Sequence, residues 1–524
     1  MSARAPAGRR PAFDRSAYER EVGSFLAARE EELYQHGAGL RDQLVLAPIY
    51  ERHAGLFSRA SVDALCSLLD AGGEEQPGTR ALLAFASDGY LEGRLAPLTE
   101  AIGTAEATAA VVWRRERIPY RGLRNRISEI SSRAERNALF ASYVEAEEAL
   151  NPLRRERFEQ IGSLARELGY ADYVDLIRTT RGFDPDALGL QMRDLLEESE
   201  TPYFAALRRY LARIEIEQGD ASLADLWYLL RGSGWDHWFD GRRLVEVLEA
   251  TLAELGIDLR TQSGATLDVA ARPNKAPRAF VAVVHAPRDV RLVIQPHGGW
   301  DDYGAVLHEA GHLEHFLHVD PRLPVSTREL GDAAVTEGYA MTFERLLADP
   351  AWLVERLRMP EERATAFADF FMLYHLVMLR TLVAGHLHEL RIHRGGDASL
   401  HRATYAGLVG LLVGIREPEA RYLRIDDGMY GASYLRCFMV DAALTDALVA
   451  QHGVAWWRSA AAGETLRRAW SRGMGWSAEQ VVAHLGYDSL DWRPVVRQIR
   501  AKLIGEMSGY GGPNITTRAG TRKV

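Results

Sequence analysis

The spacing of apolar residues over the first half of the chain is typical of helices. From about Asp14 to Leu259 few β-branched residues alternate with polar ones, and residues 151–168 repeat apolar positions at intervals of three and four. Asp184 followed by Pro185 is a helix-start signal, because aspartate caps free amides and proline fits the first helical turn. We predict a helical N-terminal lobe over residues 14–260.

The pattern changes after Arg260. Two short apolar runs, 279–284 and 290–294, flank a Pro-Arg-Asp turn and predict a β-hairpin over residues 279–294. Helical spacing then returns, which predicts a second lobe over residues 261–508. The helices predicted in this lobe lie at about 301–318, 329–347, 361–394, 400–415 and 426–450.

Length and charge narrow the class of protein. The chain has 524 residues, which exceeds the usual size of a domain built around a single hydrophobic core. This length agrees with two lobes. Its net charge of −9 argues against nucleic acid or an anionic membrane as the main partner. Residues 370–385 are apolar, but His375 and Arg380 interrupt them, so we predict a buried helix there and no membrane span. The two cysteines, Cys66 and Cys437, give no disulfide framework, and we predict a cytoplasmic protein.

Three further segments have a distinctive composition. The start of the chain is charged without an apolar run and the end is rich in glycine and polar residues, so we predict that residues 1–13 and 509–524 are flexible. Residues 113–126 contain six arginines, which suggests a binding face. The acidic residues nearby favour a solvated, salt-bridged helix surface instead.

The strongest chemical signal is the segment His308-Glu309-Ala310-Gly311-His312. On a helix, residues four apart share a face, so both imidazoles can contact one ion while Glu309 lies at the edge of that face. Two imidazoles and one anionic ligand hold Zn²⁺ in three of its four positions and leave the fourth for water. This spacing predicts a zinc site.

A zinc ion at this motif needs a third protein ligand, and Glu337 on the next predicted helix can supply it. It lies 25 residues beyond His312, which is enough chain for a loop and an antiparallel return. Glu344 stands seven residues further, two turns along the same face. We predict that Glu344 accepts the second ring N–H of a ligand histidine and fixes its orientation. The alternative is that both glutamates lie on a solvated face.

Four other histidines fall in the long helix predicted at 361–394. None of them stands at ligand spacing to the motif. We therefore interpret each as a core or surface residue and not as a ligand. They are His375, His386, His388 and His393.

Residues 298–316 together with 337–344 resemble the gluzincin metallopeptidases of the thimet oligopeptidase and oligoendopeptidase F family. A more distant similarity is to angiotensin-converting enzyme and thermostable carboxypeptidases. The resemblance rests on Gly298-Gly299 and Asp301-Asp302 ahead of the motif, on the motif itself, and on the spacing of the two glutamates that follow. It implies a mostly α, two-lobed metallopeptidase fold with a deep cleft and a small β-sheet next to the zinc-binding helix.

The resemblance also implies a tyrosine that hydrogen-bonds the oxyanion of the tetrahedral intermediate. Residues 430–434 with 441–448 resemble that region; Tyr434 is the first choice and Tyr430, one turn earlier on the same face, the second. The alternative is that both aromatics only pack in the core. The family usually has a histidine about ten residues before this tyrosine, whereas this chain has Arg424, a candidate for binding the substrate.

We predict a zinc metallopeptidase that hydrolyses short or unfolded peptides, with one Zn²⁺ per chain. In this hypothesis His308, His312 and Glu337 bind the ion and Glu309 is the general base on the zinc-bound water; the preference for short peptides is implied by the resemblance. One alternative is a metallocarboxypeptidase or dipeptidyl carboxypeptidase, in which an arginine such as Arg424 or Arg436 holds the terminal carboxylate. The other is a catalytically silent peptide-binding protein.

Overall fold

The computed structural model describes residues 13–72 and 76–503, so the predicted flexible ends lie outside it except for Phe13. Within these ranges the protein consists of 21 α-helices and five short strands, and the prediction of a mostly α fold is confirmed. The helices before the sheet are α1 (Arg15–Gly37), α2 (Ala47–Arg52), α3 (Arg59–Asp70), α4 (Gln76–Thr108), α5 (Tyr120–Glu129), α6 (Arg133–Glu167), α7 (Tyr173–Arg181), α8 (Pro185–Glu198), α9 (Glu200–Ala212), α10 (Leu223–Arg231) and α11 (Leu244–Glu254).

The strands and the remaining helices follow in chain order. The strands are β1 (Ala110–Trp113), β2 (Glu116–Pro119), β3 (Ala265–Asp268), β4 (Phe280–His285) and β5 (Asp289–Val293). The helices after the sheet are α12 (Trp300–Leu317), α13 (Val325–Arg328), α14 (Ala333–Glu344), α15 (Pro350–Leu357), α16 (Glu361–Ile392), α17 (Arg402–Val413), α18 (Tyr430–His452), α19 (Ala460–Trp470), α20 (Ala478–His484) and α21 (Arg493–Leu503).

Short 3₁₀ turns connect many of these elements. They lie at Ala54–Phe57, Gln218–Asp220, Ser233–Trp238, Gly241–Arg243, Arg345–Ala348, Ala398–His401, Glu419–Arg421 and Trp456–Arg458. The predicted helix at 329–347 ends earlier in the structure, because α14 stops at Glu344 and the chain continues as the 3₁₀ turn Arg345–Ala348. At its other end α14 starts at Ala333, where Asp332 accepts a hydrogen bond from the Ala334 N–H at 3.1 Å.

The predicted hairpin is present and belongs to a three-stranded sheet. β4 and β5 pair antiparallel, with Val281 opposite Leu292. β3, which the sequence pattern did not predict, pairs with β5 in parallel and gives the strand order β3-β5-β4. One side of β4 is therefore not paired with another strand and lies beside α12 and α1.

The predicted helix surface in the arginine-rich stretch 113–126 is wrong for the first half of that stretch. Val111 of β1 pairs with Ile118 of β2 in a two-residue hairpin, and Arg114 and Arg115 form its turn with φ angles of 50° and 73°. β-Branched residues paired across the hairpin explain why this segment is not helical. The later arginines of the stretch lie on α5.

Hydrophobic side chains of the described residues form one large core, one smaller core and a cluster of four buried residues between α1 and the sheet. The large core extends from Ile118 to Ile499 and includes α12, α14, α16 and α18, whereas the smaller core lies mainly between α1, α3, α4, the end of α6 and α7. Since the large core draws on residues before and after 260, the lobe boundary at that residue stays a prediction. The helices that carry the zinc motif and its predicted third ligand lie in the large core.

One helix of the described residues, α16, is long and apolar enough to cross a membrane if length and composition alone are considered. It is twice as long as the apolar segment 370–385 from which we predicted a buried helix. In its most apolar window, 67% of the residues are buried inside the protein. Such a buried share is typical of a helix in the core of a folded protein.

Candidate metal centre and active site

Helices α12 and α14 pack closely enough to bring their polar side chains together. A Cβ atom on Gly311 would lie 2.5 Å from Cα of Ala340, and a Cβ atom on Gly338 would lie 2.6 Å from Cγ1 of Val440 on α18. Non-bonded carbon atoms overlap at such distances, so these two contacts require glycine. The glycines allow α14 to lie between α12 and α18 with Glu337 next to the motif.

His308, His312 and Glu337 converge on one point. One ligand atom from each side chain lies within 4.8 Å of the others. Glu337 Oε2 is 3.2 Å from His308 Nε2 and 3.7 Å from His312 Nε2, but it is buried without a hydrogen bond of good geometry. A buried carboxylate oxygen is costly without a partner, so a cation between the three atoms fits this arrangement. Two imidazoles and one carboxylate are the donor set of catalytic zinc sites.

Glu344 connects His308 to another histidine. Because a carboxylate only accepts, His308 Nδ1 donates to Glu344 Oε2 at 3.0 Å and His375 Nε2 donates to Glu344 Oε1 at 3.2 Å. Burial opposes a charge on His308, but Glu337 and Glu344 raise its pKa to about 10. Burial likewise opposes a charge on Glu344, and the two histidines hold its pKa well below the ordinary value. Glu344 is therefore ionised and turns His308 Nε2 toward Glu337.

His312 is held by a chain of hydrogen bonds that ends on a backbone carbonyl. His315 Nε2 lies 3.2 Å from Gly473 O, so this nitrogen carries the proton and Nδ1 accepts. The Thr336 hydroxyl then donates to His315 Nδ1 at 3.1 Å, and its oxygen accepts from His312 Nδ1 at 2.8 Å. Burial lowers the pKa of His312 to about 4 and that of His315 to about 3, so both rings are neutral at neutral pH. His312 thus directs the lone pair of Nε2 at Glu337.

Glu309 lies beside these ligands and is fixed by strand β4. Its Oε2 accepts a hydrogen bond from the Val281 N–H at 3.0 Å. Burial raises the pKa of Glu309 to about 7, while the charge of His308, this hydrogen bond and the charge of Arg278 oppose the shift. A carboxylate with a pKa near neutrality is suited to accept a proton and release it again.

Tyr430 and Tyr434 lie one turn apart on α18 with their rings 5.5 Å apart. The Tyr430 hydroxyl donates to Glu337 Oε1 at 2.7 Å, so it orients the carboxylate whose other oxygen faces the histidines. Burial raises the pKa of both phenols above the ordinary value, and both therefore stay protonated at neutral pH. A protonated phenol can donate one hydrogen bond, and Tyr430 donates its own to Glu337.

Two cavities meet at the motif. The first has a volume of about 420 Å³ and extends between α12 and α16. The second has a volume of about 320 Å³ and extends along β4. His308, Glu309 and Tyr434 line both cavities, whereas Tyr430 lines only the second. Tyr434 is therefore better placed than Tyr430 to contact a group bound between the two cavities.

The two arginines predicted to bind substrate lie elsewhere. The guanidinium of Arg424 is 3.5 Å from Glu106 Oε1 and 3.8 Å from Glu147 Oε1, at the junction of α4 and α6. Arg436 is buried and pairs with two carboxylates at 2.8 and 2.7 Å. Neither guanidinium lines the cavities at the motif.

Several residues of the site were not predicted from the sequence. Thr336 stands immediately before Glu337, and His315 lies three residues after His312 on the same helix, so local spacing contained a signal for both. His375 was interpreted as an ordinary core or surface residue; it is buried, but it also bonds Glu344 from a different helix. Arg278, just before β4, lines the first cavity. Neither His375 nor Arg278 stands at a sequence spacing from the motif that would have predicted its place in the site.

No protein-family model matches the sequence, and no curated protein matches it. Several solved structures share its fold. A Bacillus anthracis str. Ames structure described as an oligoendopeptidase F is 14% identical over 92% of this chain and 89% of its own, with a TM-score of 0.63. PZ peptidase A with an inhibitor is 14% identical over 93% of this chain and 91% of its own, with a TM-score of 0.66.

A third structure extends the likeness to the carboxypeptidases. The M32 carboxypeptidase from Deinococcus radiodurans R1 is 14% identical over 94% of this chain and 98% of its own, with a TM-score of 0.59. The predicted resemblance to oligopeptidases and carboxypeptidases is confirmed at the level of the fold. This chain has the mostly helical fold of these peptidase structures over nearly its whole length.

Proposed function

We propose that this protein is a zinc-dependent peptidase that acts on short or unfolded peptides. The observation that carries the proposal is the position of Glu337 Oε2, which is buried between Nε2 of His308 and Nε2 of His312 without a good hydrogen bond. These three side chains would hold one zinc ion. Peptidases with the same fold, among them an oligoendopeptidase F and PZ peptidase A, support peptide hydrolysis as the reaction.

The residues around this point have separate tasks in the hydrolysis of a peptide bond. Zinc, when bound there, would polarise the scissile carbonyl and activate a water molecule. Glu309 takes a proton from the attacking water and delivers it to the leaving amine, for which a pKa of about 7 is suited. Tyr434 donates a hydrogen bond to the oxyanion of the tetrahedral intermediate, and a donor in this role contributes about 10²–10³ in rate.

The other polar groups keep the ligands in place. Glu344 and Thr336 accept the Nδ1–H groups of His308 and His312, which leaves both Nε2 atoms free to bind the ion. Tyr430 orients Glu337 in the same way, because it donates a hydrogen bond to the carboxylate oxygen that faces away from the histidines. Arg424 is not needed for this mechanism.

Two further features belong to the proposal. Peptides are the proposed partners, and the cavities of about 420 and 320 Å³ on either side of the motif have room for the residues next to a cleaved bond. The proposed location is the cytoplasm, since Cys66 and Cys437 are both unpaired.

The proposal is tested by metal analysis combined with peptide mapping of the wild type, Glu309→Gln and the control Glu362→Gln. Glu362 is an exposed residue in the first turn of α16. We expect zinc close to one per chain in all three proteins and cleavage of a mixed peptide library by the wild type and the control. Because Glu309→Gln cannot accept the proton, it should lose cleavage by at least about 10²-fold. Cleavage by Glu309→Gln at the wild-type rate would reject the mechanism.

The same assay distinguishes the two kinds of peptidase. Internal cleavage of peptides with a blocked C-terminal amide indicates an oligopeptidase. Removal of residues only from a free C-terminus indicates the carboxypeptidase alternative, which is favoured by the fold shared with the M32 carboxypeptidase. Zinc-free protein that binds peptides without cleaving them would support the non-catalytic alternative.

A further inference from the structure

The first cavity has an apolar wall. Tyr374, Met378 and Leu382 of α16 line it and follow one another at intervals of four residues, so they form a stripe along one face of the helix. They are half-buried, whereas most of the neighbouring residues of α16 are buried. Trp300 of α12 continues this wall, with its ring 5.0 Å from that of Tyr374.

The same cavity has a charged end. Arg278, two residues before β4, lines it together with Asp301 in the first turn of α12. The shortest distance between the two charged groups is 3.9 Å, and their side chains are 72% and 65% exposed. Such an exposed pair at this separation contributes little to stability. Among the described residues this is the only ion pair of Arg278, so its guanidinium is available to a ligand.

A second cation faces this end from the N-terminal part of the chain. Arg124 of α5 lies over the ring of Trp227 at 5.5 Å. Burial raises the pKa of the Tyr374 phenol to about 12, and the charges of Arg278 and Arg124 oppose the shift. Arg278 and Asp301 thus line the charged end of the cavity, while Arg124 acts electrostatically on Tyr374 of the apolar wall without lining the cavity itself.

The distance from this end to the motif fits a peptide. Asp301 and His308 are seven residues apart on α12, or about 10 Å along the helix axis. An extended peptide covers this distance in about three residues. A group bound at the charged end therefore belongs to a residue two or three positions from the bond next to Glu309.

We propose, on the basis of the proposed peptidase function, that Arg278 binds a carboxylate group of the peptide substrate two or three residues from the cleaved bond, with Arg124 adding positive charge. A guanidinium donates two parallel hydrogen bonds to a carboxylate, and a bound peptide removes water from around the pair. The carboxylate is either the side chain of aspartate or glutamate or the C-terminus of the peptide. The apolar stripe of α16 takes the residues between this group and the motif.

The experiment compares matched peptides. One series replaces each position of a neutral, C-terminally amidated peptide by glutamate or by glutamine, and a second series differs only in a free or amidated C-terminus. We expect kcat/KM of the wild type to be about tenfold higher with a carboxylate than with the corresponding amide, the effect of one charge-assisted hydrogen bond. A preference in the first series identifies an acidic side chain as the source, and a preference in the second identifies the terminus. No preference in either series would overturn the proposal.

Variants assign the preference to Arg278. In Arg278→Gln the ratio of kcat/KM for the carboxylate peptide to that for the amide peptide should fall to about one. Arg278→Glu should instead prefer a peptide with lysine at the same position. Arg322→Gln is the matched control, because this arginine is 88% exposed and, within the described part of the chain, forms an ion pair only with Asp320. The control should keep the wild-type ratio. An unchanged ratio in Arg278→Gln would contradict the assignment.

A binding measurement separates this proposal from the peptidase function. Fluorescence anisotropy with labelled peptides is performed on zinc-loaded Glu309→Gln and on the double variant with Arg278→Gln. Tighter binding of the carboxylate peptide, lost in the double variant, supports the site even if the wild type cleaves none of the peptides. Equal affinity for both peptides rejects the site even if the wild type cleaves them all.

Discussion

Among the described residues, two groups of buried or half-buried histidine and glutamate side chains are organised differently. The metal-site cluster, so called for the zinc ligands proposed above, is centred on α12 and α14 and consists of His308, His312, Glu337, Glu344 and His375. The α16 cluster lies near the C-terminal end of that helix and consists of His386, His388, Glu389 and His393. The residue types are the same in both clusters.

The two clusters differ in the groups to which their histidines form hydrogen bonds. In the metal-site cluster, carboxylates from α14 lie between imidazoles of other helices, and each histidine Nδ1 that faces away from Glu337 has an acceptor. In the α16 cluster His386 and His388 each bond one backbone carbonyl through Nε2, and their Nδ1 atoms and Glu389 Oε2 have no partner among the described residues. Only the first arrangement favours charged side chains and a bound cation.

The pKa values reflect this contrast. Burial lowers the pKa of His388 to about 4 and that of His393 to about 3, and it raises the pKa of Glu389 well above the ordinary value. Burial therefore disfavours a charge on each of these side chains of the α16 cluster. Burial is opposed in the metal-site cluster, where the hydrogen bonds that Glu344 accepts from His308 and His375 hold the pKa of this carboxyl well below its ordinary value. In this protein the two clusters therefore differ in whether a carboxylate from another helix lies between the histidines.

The largest expected effect comes from removing one ligand of the metal-site cluster. Glu337→Gln should lose zinc and peptide cleavage together, because the amide replaces the negative charge between His308 and His312. Glu389→Gln should keep both. The measurement is the zinc content of purified protein after dialysis against a chelator, with circular dichroism to verify folding. Equal zinc loss in the two variants would show that the clusters do not differ in the proposed way.

A smaller effect is expected from the hydrogen bonds behind His312. Thr336→Val leaves the His312 Nδ1–H and the His315 Nδ1 without a partner while it conserves the side-chain shape. Zinc affinity, measured by competition with a chelator, should fall about 10–100-fold, the usual cost of losing an outer partner. Thr336→Ser restores the hydroxyl and should restore the affinity. A serine variant as weak as the valine variant would contradict the deduced proton positions.

The sequence predicted the parts of the site whose residues are close in the chain. The motif and Glu337 follow helical spacing on two successive helices, and Gly311 and Gly338 allow those helices to touch, so the pattern contained both the ligands and the means of their approach. His375 escaped prediction because it lies 31 residues after Glu344 on another helix, and only the packing of α16 brings it there.

Short elements that depend on tertiary pairing were also not predicted. β3 has four residues and exists because β5 offers it a parallel partner. The hairpin of β1 and β2 contains three of the six arginines of the stretch at 113–126 and was predicted as part of a helix, although Val111 and Ile118 pair across it. Arg424 was proposed for substrate binding from a family position, whereas Glu106 and Glu147 hold it between α4 and α6. Each of these outcomes depends on contacts between distant segments.

The smallest expected effect concerns the stability of the α16 cluster. Burial and the negative charges of Asp426 and Asp427 raise the pKa of Glu389 in the folded protein well above 4.5, its ordinary value. As the pH rises above 4.5, the unfolded chain releases this proton while the folded protein retains it, so Glu389 increasingly favours the unfolded state until its folded pKa is reached. Glu389→Gln cannot ionise and should be more stable than the wild type at pH 8, by on the order of 1 kcal/mol, with a smaller difference at pH 5. Thermal unfolding midpoints at the two pH values test this, with Glu362→Gln as the exposed control on the same helix. A difference that is equal at both pH values would mean that Glu389 is ionised in the folded protein, and the α16 cluster would then hold a charge as the metal-site cluster does.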